Sequence, residues 1–532
     1  MRLRSFIACS ALALGYLCVS NLAQAQNYRE LPLGGRTATM GGAATAAGND
    51  SAMPYLNPAG VAGIPGDIFA ISATAYSYTR RSFKNYFYPN GTDPTWGYKL
   101  EHENFSTTSI FELPSSVMYM NHLSGKDAPI KHFVGFSLVI PSVRRLSIVA
   151  SASGRLENLS GEAVQTSALT VDSTSYNFGP SYAVSLGERL RFGATLYAVY
   201  VRSVSSFARS DAFSLVSGSS SINQTVQNAQ VAEALALAPT LGAQLRLASK
   251  VWAGVGVAVP SLRVGGRLRQ SGEVVGMRED STTGVPQSDA QTSTLDADYL
   301  RGDPLRINVG LAYEDRKRVS IAGDVIYFAP REIAELSGVQ RSEQRRSGEV
   351  TRRFGRRVDR VAQNEGIVDF SLGAEVAMSP LVAIRAGAFS DLAATPKLSG
   401  TGDDETRLRL DRYGGTLGLG LTLGSFDTTL GAVLVRGDGD YGVLDAVVDG
   451  AVVPIHTTET TGMLILSGAT TVEDAKRTIR ATLPFKTPEL PDLDGTSKAP
   501  TMPRIPAPLP PEDPPPVPAL KRAPPPEPGS QP

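Results

Sequence analysis

The chain has 532 residues, with 51 Lys and Arg set against 51 Asp and Glu, and only 19% of its residues are charged. That balance leaves no basic excess for nucleic acid, and beyond the N-terminus no run of about 18 apolar residues could cross a bilayer as a helix. With 52 glycines and no such run, the remaining classes are a large soluble β protein and a β-barrel that crosses a membrane on strands.

Residues 1–25 carry Arg2 and Arg4, an apolar run from Phe6 to Val19, and Ala23-Gln24-Ala25 before Gln26. This is the pattern of a secretory signal peptide cleaved after Ala25. Cys9 and Cys18 both lie inside it, and neither sits in a lipoprotein box. The exported chain is therefore expected to lack thiols, which excludes disulfides, thiolate metal sites and cysteine nucleophiles.

The stretch Gly34 to Gly60 consists almost wholly of small residues, broken by Met40, Met53, Tyr55 and Leu56. It is too poor in charge for a disordered linker and cannot form a core alone, so it is expected to pack inside something larger. Gly41-Gly42-Ala43, Asn49-Asp50-Ser51 and Asn57-Pro58-Ala59-Gly60 together resemble the N-terminal hatch of the FadL-type outer membrane transporters, which carry long-chain fatty acids and aromatic hydrocarbons. A related hatch signature occurs in barrels attached to the type IX secretion system. The resemblance implies a hatch over residues 26–66, with Gly41, Gly42, Asn57, Pro58, Ala59 and Gly60 as its signature.

After this stretch a period of two recurs. Leu305, Ile307, Val309, Leu311 and Tyr313 alternate with Arg306, Asn308, Gly310, Ala312 and Glu314, and Phe370, Leu372 and Val376 alternate with Asp369, Ser371, Gly373 and Glu375. Such strands have one greasy face and one small, polar face. Strands are predicted near 67–79, 114–123, 132–141, 173–186, 188–202, 233–248, 250–263, 304–314, 317–329, 366–378, 381–390, 413–423, 426–436 and 461–471, which makes fourteen. Beyond the first, connections alternate between tight turns such as Gly187 and Gly424-Ser425 and stretches of roughly twenty to forty residues. Short periplasmic turns and long outer loops are the habit of outer membrane barrels, and an even strand number returns both termini to one side. The expected fold is an all-β transmembrane antiparallel barrel over 67–471, with long extracellular loops.

Val472 to Leu483 could form a short amphipathic helix, and Pro484 to Pro532 contains runs that favour extended polyproline II. Residues 472–532 are thus expected to be periplasmic. They read as a disordered tail, or as a spacer reaching peptidoglycan or a periplasmic protein.

By the resemblance, a hydrophobic small-molecule ligand would enter from the outer loops, settle on apolar residues, shift the hatch and leave sideways into the membrane. Tyr76, Tyr78, Phe83, Tyr86, Phe87 and Trp96 gather at the first outer loop and are the expected binding surface; they read equally as an interfacial girdle. Among inward-facing charges, Arg306 and Arg385 could pair with a carboxylate, or with Asp324, Glu375 and the hatch. Gly135 and Pro141 both weaken strand pairing, which makes them the expected gate. The Arg-rich stretch Arg341 to Arg360 lies outside the cell on this reading, where it could meet lipopolysaccharide or stay solvated.

His102, His122, His132 and His456 have no zinc spacing, and no nucleophile motif is present. Neither catalysis nor a cofactor or metal is expected. The alternative function is a secretion-associated or structural barrel that resembles the type IX shuttle and binds a protein partner.

Overall fold

A computed structural model describes residues 27–473 apart from 30–32, 65, 85, 87–97, 101–104, 126–127, 157–160, 216–220, 280–285, 316, 348, 399–406, 425 and 445–451. The predicted signal peptide and Pro-rich tail fall outside the described residues, as do most of the expected helix after Val472 and the aromatic residues Phe87 and Trp96.

Fourteen strands form a closed antiparallel ring. In chain order they are β1 (Ile68–Phe83), β3 (Phe105–His122), β4 (Ile130–Leu156), β5 (Gly161–Leu186), β6 (Leu190–Leu215), β7 (Ser221–Ala248), β8 (Val251–Ala258), β11 (Arg306–Glu314), β12 (Val319–Phe328), β15 (Ile367–Ala377), β16 (Val382–Asp391), β17 (Leu408–Leu423), β18 (Phe426–Leu444) and β19 (Val452–Thr471). Each pairs with the next, and β19 pairs back onto β1 through Ile68↔Thr471, so the ring closes on itself. Short β2 (Tyr98–Leu100) adds to the outer end of β4.

Two further hairpins rise above the ring. β9 (Leu262–Glu279) and β10 (Pro286–Arg301) lie between β8 and β11, and β13 (Arg331–Arg346) and β14 (Glu349–Asn364) lie between β12 and β15. They prolong the outer part of β7 in the order β7, β9, β10, β13, β14. The predicted strand 250–263 is therefore two, broken at Pro260, and Arg341 to Arg360 is a hairpin rather than a loop. Pro260, Pro304 and Pro330 mark three of the four points where chain passes between ring and hairpin, since a residue without an N–H cannot continue the ladder.

In the ring the pattern is greasy outside and small or polar inside. β11 exposes Val309, Leu311 and Tyr313 and buries Arg306, Asn308, Gly310 and Ala312; β15 exposes Val368, Phe370 and Leu372 and buries Asp369, Ser371 and Gly373. Above the ring the polarity inverts. Leu268, Leu295, Tyr299 and Leu336 form a buried cluster inside the hairpin sheet, and Phe83, Tyr86, Leu146, Leu169, Leu410 and Tyr441 form another inside the opposite wall.

Candidate functional site

Residues 33–64 thread the lumen. They contain only short helical pieces, α1 (Arg36–Thr39), α2 (Met53–Leu56) and a 3-10 turn (Pro58–Gly63), because Gly and Ala supply little side chain to anchor longer ones. Gly41 and Gly42 have φ of 65° and 84°, a left-handed bend that suits glycine.

Wall and inner segment meet backbone to backbone. A methyl group on Gly254 would collide with the Thr45 carbonyl, on Gly256 with that of Leu56, on Gly373 with that of Met40, and on Gly193 with Pro58. This is the physical reason for the small residues on the inward face of each strand.

Polar wall groups then satisfy the irregular backbone, as buried N–H and C=O groups require. The buried Asp324 carboxylate accepts from the Ala44 and Thr45 amides at 2.8 and 2.9 Å and from the Thr45 hydroxyl at 2.9 Å. Asn57 donates to the Thr45 carbonyl at 2.7 Å and to Ala243 on β7 at 3.2 Å, while its own oxygen caps the Ala59 amide. Asn308 donates to the Leu56 carbonyl at 2.9 Å, and Thr416 on β17 donates to Thr39 at 2.7 Å.

One carboxylate ties the two parts together. Glu375 accepts from Arg36 of the inner segment at 3.1 Å and from Arg385 of the wall at 2.6 Å, and Arg385 continues to the Thr429 hydroxyl at 2.8 Å. A second buried set higher up joins Glu459 to Arg81 at 2.6 Å and to Arg412 at 2.9 Å, and Arg412 to Asp391 at 3.4 Å.

Two adjoining cavities of about 50 and 60 Å³ share Tyr28, Tyr55, Pro141, Arg306 and Phe328 as lining. Tyr28 stacks on Phe328 at 4.5 Å, and the Arg306 guanidinium lies 4.1 Å above the Tyr55 ring while donating to the Tyr55 carbonyl. Leu33, Ile326 and Phe389 complete an apolar lining. The space holds a few waters and is too small for a long alkyl chain.

Beside it the wall is incompletely bonded. β3 and β4 pair only from Ser116↔Val139 to His122↔Phe133, and the β4 to β5 register slips between Val139 and Ser142, which places Pro141 at the break. Outward of Pro141, among the described residues, β4 pairs with β5 and, at its tip, with β2. Side chains cross the interval between β3 and β4: Thr107 donates to the Ser147 carbonyl, and Arg81 of the neighbouring β1 reaches Arg145 at 3.3 Å.

The sequence-selected residues are dispersed by this geometry. Phe83 and Tyr86 face inward and pack edge-on at 6.0 Å, with Phe83 also 5.2 Å from Tyr441. Tyr76 and Tyr78 lie on the opposite face of β1, 55% and 49% exposed on the outer wall, so the structure does not join them to Phe83 and Tyr86. Arg306 lines the cavity; Arg385 does not and is held by Glu375. Pro141 touches the cavity, whereas Gly135 sits in regular pairing with Met120 and Ser181. Tyr28, Phe328, Arg81, Arg412 and Glu459 were not singled out in the sequence, because the contacts they form join segments separated by tens to hundreds of residues.

No family model matches the chain, and no curated protein matches it. Solved structures do match. The crystal structure of a Pseudomonas aeruginosa FadL homologue aligns over 84% of this chain and 99% of its own, with 13% identity and a TM-score of 0.51. The Pseudomonas putida toluene transporter TodX aligns over 84% and 99%, with 12% identity and a TM-score of 0.48, and the CymD monoaromatic hydrocarbon channel over 84% and 98%, with 12% and 0.47.

Proposed function

We propose that this chain, which has the fold of the FadL-type barrels, sits in an outer membrane and admits hydrophobic small molecules through its lumen and out through its wall. The observation that carries this reading is the apolar cavity at Tyr28, Tyr55 and Phe328, which abuts Pro141 where the ladder between β3 and β4 ends. The ligand class is that of long-chain fatty acids or aromatic hydrocarbons. Such a ligand would meet Phe83, Tyr86 and their aromatic neighbours first and then the Arg306 side of the cavity.

The inner segment acts as the hatch. It fills much of the bore, and the cavities beside it at Tyr28 and Tyr55 are only about 50 and 60 Å³ each, so a ligand cannot pass until the segment shifts. The Pro141 break offers the way out, because backbone N–H and C=O groups are not zipped across it and opening it breaks few ladder bonds. In this reading Pro141 is the gate residue and Gly135 a flanking one. The Pro-rich stretch from Pro484 is proposed as a periplasmic tail whose partner is peptidoglycan or a protein.

The test uses the chain's freedom from cysteine beyond Cys18. A Thr107→Cys, Ser147→Cys double variant should cross-link β3 to β4 on oxidation. Uptake of labelled oleate or toluene by cells should then fall to the level of cells lacking the protein and return on reduction. Uptake that persists through the locked wall rules out lateral exit. If the folded wild type raises uptake of neither ligand, transport gives way to a barrel that binds a protein partner.

A further inference from the structure

The outer hairpin sheet has an outward face that neither the lumen nor the lateral route uses. Along the ring its neighbours are greasy: Leu235 and Leu241 on β7 and Leu262 and Val264 at the foot of β9 are exposed. The register then slips between Leu235 and Ala236, and charged residues occupy the same side of the sheet. Arg202 on β6, Glu233 on β7, Arg267 on β9 and Asp298 on β10 stand opposite one another in a continuous cross-strand row. Arg202 and Glu233 are 3.7 Å apart, Arg267 pairs with Asp296, and farther along Arg145 and Asp172 are 3.3 Å apart. This change from aliphatic to charged side chains along adjoining strands is where a lipid wall gives way to head groups.

At the row the outward face of the sheet forms an open concavity across β9, β10 and β13. Arg267, Arg269, Thr294, Asp296, Asp298 and Arg341 line it. Arg267 is committed to Asp296, whose carboxyl it holds below the usual range. Arg269 and Arg341 are both exposed and form no ion pair among the described residues. Their strands flank β10, with Arg269 opposite Asp296 and Arg341 opposite Thr294, so their Cα atoms are about 12 Å apart, two strand spacings across and two residues along. Two long guanidinium side chains can converge across that distance on one phosphate, each as a planar donor fork. Asp296, which Arg267 already neutralises, and the Thr294 hydroxyl lie between them on β10, with Asp298 one step beyond, as acceptors for sugar hydroxyls.

We propose that this concavity binds the phosphorylated sugar head group of an outer-leaflet glycolipid, with Arg269 and Arg341 on the phosphate and the acyl chains lying against the greasy wall below. The continuity with Leu262 and Val264 selects a lipid-anchored sugar phosphate over a soluble one. The inference rests on the outer membrane placement argued above and is independent of whether the barrel transports.

The test is binding of bis-phosphorylated lipid A to the purified full-length barrel in detergent, read by native mass spectrometry. Wild type should retain lipid A, and Arg269→Gln with Arg341→Gln should weaken it at least tenfold with the melting temperature unchanged. Dephosphorylated lipid A should bind as weakly as that variant does, and phosphatidylglycerol should not compete. An Arg345→Gln, Arg353→Gln control, on the same face but outside the concavity, should bind like wild type. Equal lipid A binding by the double variant overturns the proposal, as does a wild type that retains none. So does tight binding of free glucosamine phosphate without lipid, which would make the site one for a soluble ligand. Loss of lipid A binding by the control as well would reduce the effect to general surface charge and overturn it too.

Discussion

The ring and the outer sheet are built from the same alternating strands but obey opposite rules. In the ring, Leu311 is 60% exposed and Asp324 is buried; in the outer sheet, Leu268 is fully buried and Arg269 is exposed. Lipid reverses which face must be apolar, and water restores the ordinary order. The outer sheet should therefore be held together by the hydrophobic effect as a soluble protein is, whereas the ring gains little by packing Leu side chains against alkyl chains. Its inside is held instead by polar groups matched one to one with an irregular inner segment.

The contrast is most sharply broken at Glu375. Glu375→Gln leaves Arg36 and Arg385 facing a neutral amide, with Glu314 3.9 Å from Arg36 as the carboxylate that remains, a loss of about 3–5 kcal/mol for a buried pair stripped of one charge. The inner segment should loosen, seen as larger single-channel conductance in planar bilayers and as leakage of hydrophilic dyes. Unchanged conductance would mean that the wall glycines and Asp324 suffice to hold it.

Next in size is a matched pair of truncations. Leu268→Ala, in the core of the outer sheet, should cost about 2–5 kcal/mol. Leu311→Ala, facing the lipid, should cost much less, so thermal unfolding in detergent should separate the two. Equal losses would show that the two regions do not differ in what stabilises them.

The smallest effect is expected at the short-turn end of the ring, where Lys250, 47% exposed, approaches Asp315 to 2.6 Å. The hydrogen bond from Lys250 holds the Asp315 carboxyl below its ordinary range, and that bond raises the Lys250 ammonium. A depressed carboxyl contributes stability that is present above its unfolded value and lost as the pH falls through the folded one. Water and salt reach the pair through the Lys250 ammonium and screen it. Asp315→Asn should leave the melting temperature unchanged at neutral pH and high salt, and a clear drop would place this turn among the structural contacts.

The ring was legible in the sequence because lipid imposes a strict rule on each strand: Ile307, Val309 and Leu311 alternate with Arg306, Asn308 and Gly310 without interruption. The hairpins were not. Once a strand leaves the lipid its greasy face turns inward, and Leu268 flanked by Arg267 and Arg269 reads as a solvated loop. Pro260 and Pro330 carried the missing signal, as breaks followed at once by new alternation. Within the site, Asn57 and Arg306 stood out by residue type and position. Tyr28 and Phe328 did not, since their stacking depends on a contact across 300 residues and nothing local requires it. Tyr76 was grouped with Phe83 as one aromatic cluster, yet the two are an odd number of residues apart on one strand, and alternation puts them on opposite faces.

Both hairpins leave and re-enter the ring between residues that are already partners. Ala258 is paired with Arg306 across the first excursion, and Phe328 with Ile367 across the second. Each excursion begins and ends at one spot, so a tight turn in its place would still close the same fourteen-membered ring. The outer sheet is thus a modular addition, whose length and charge can change while the ring beneath keeps its strand count, its bore and its contents.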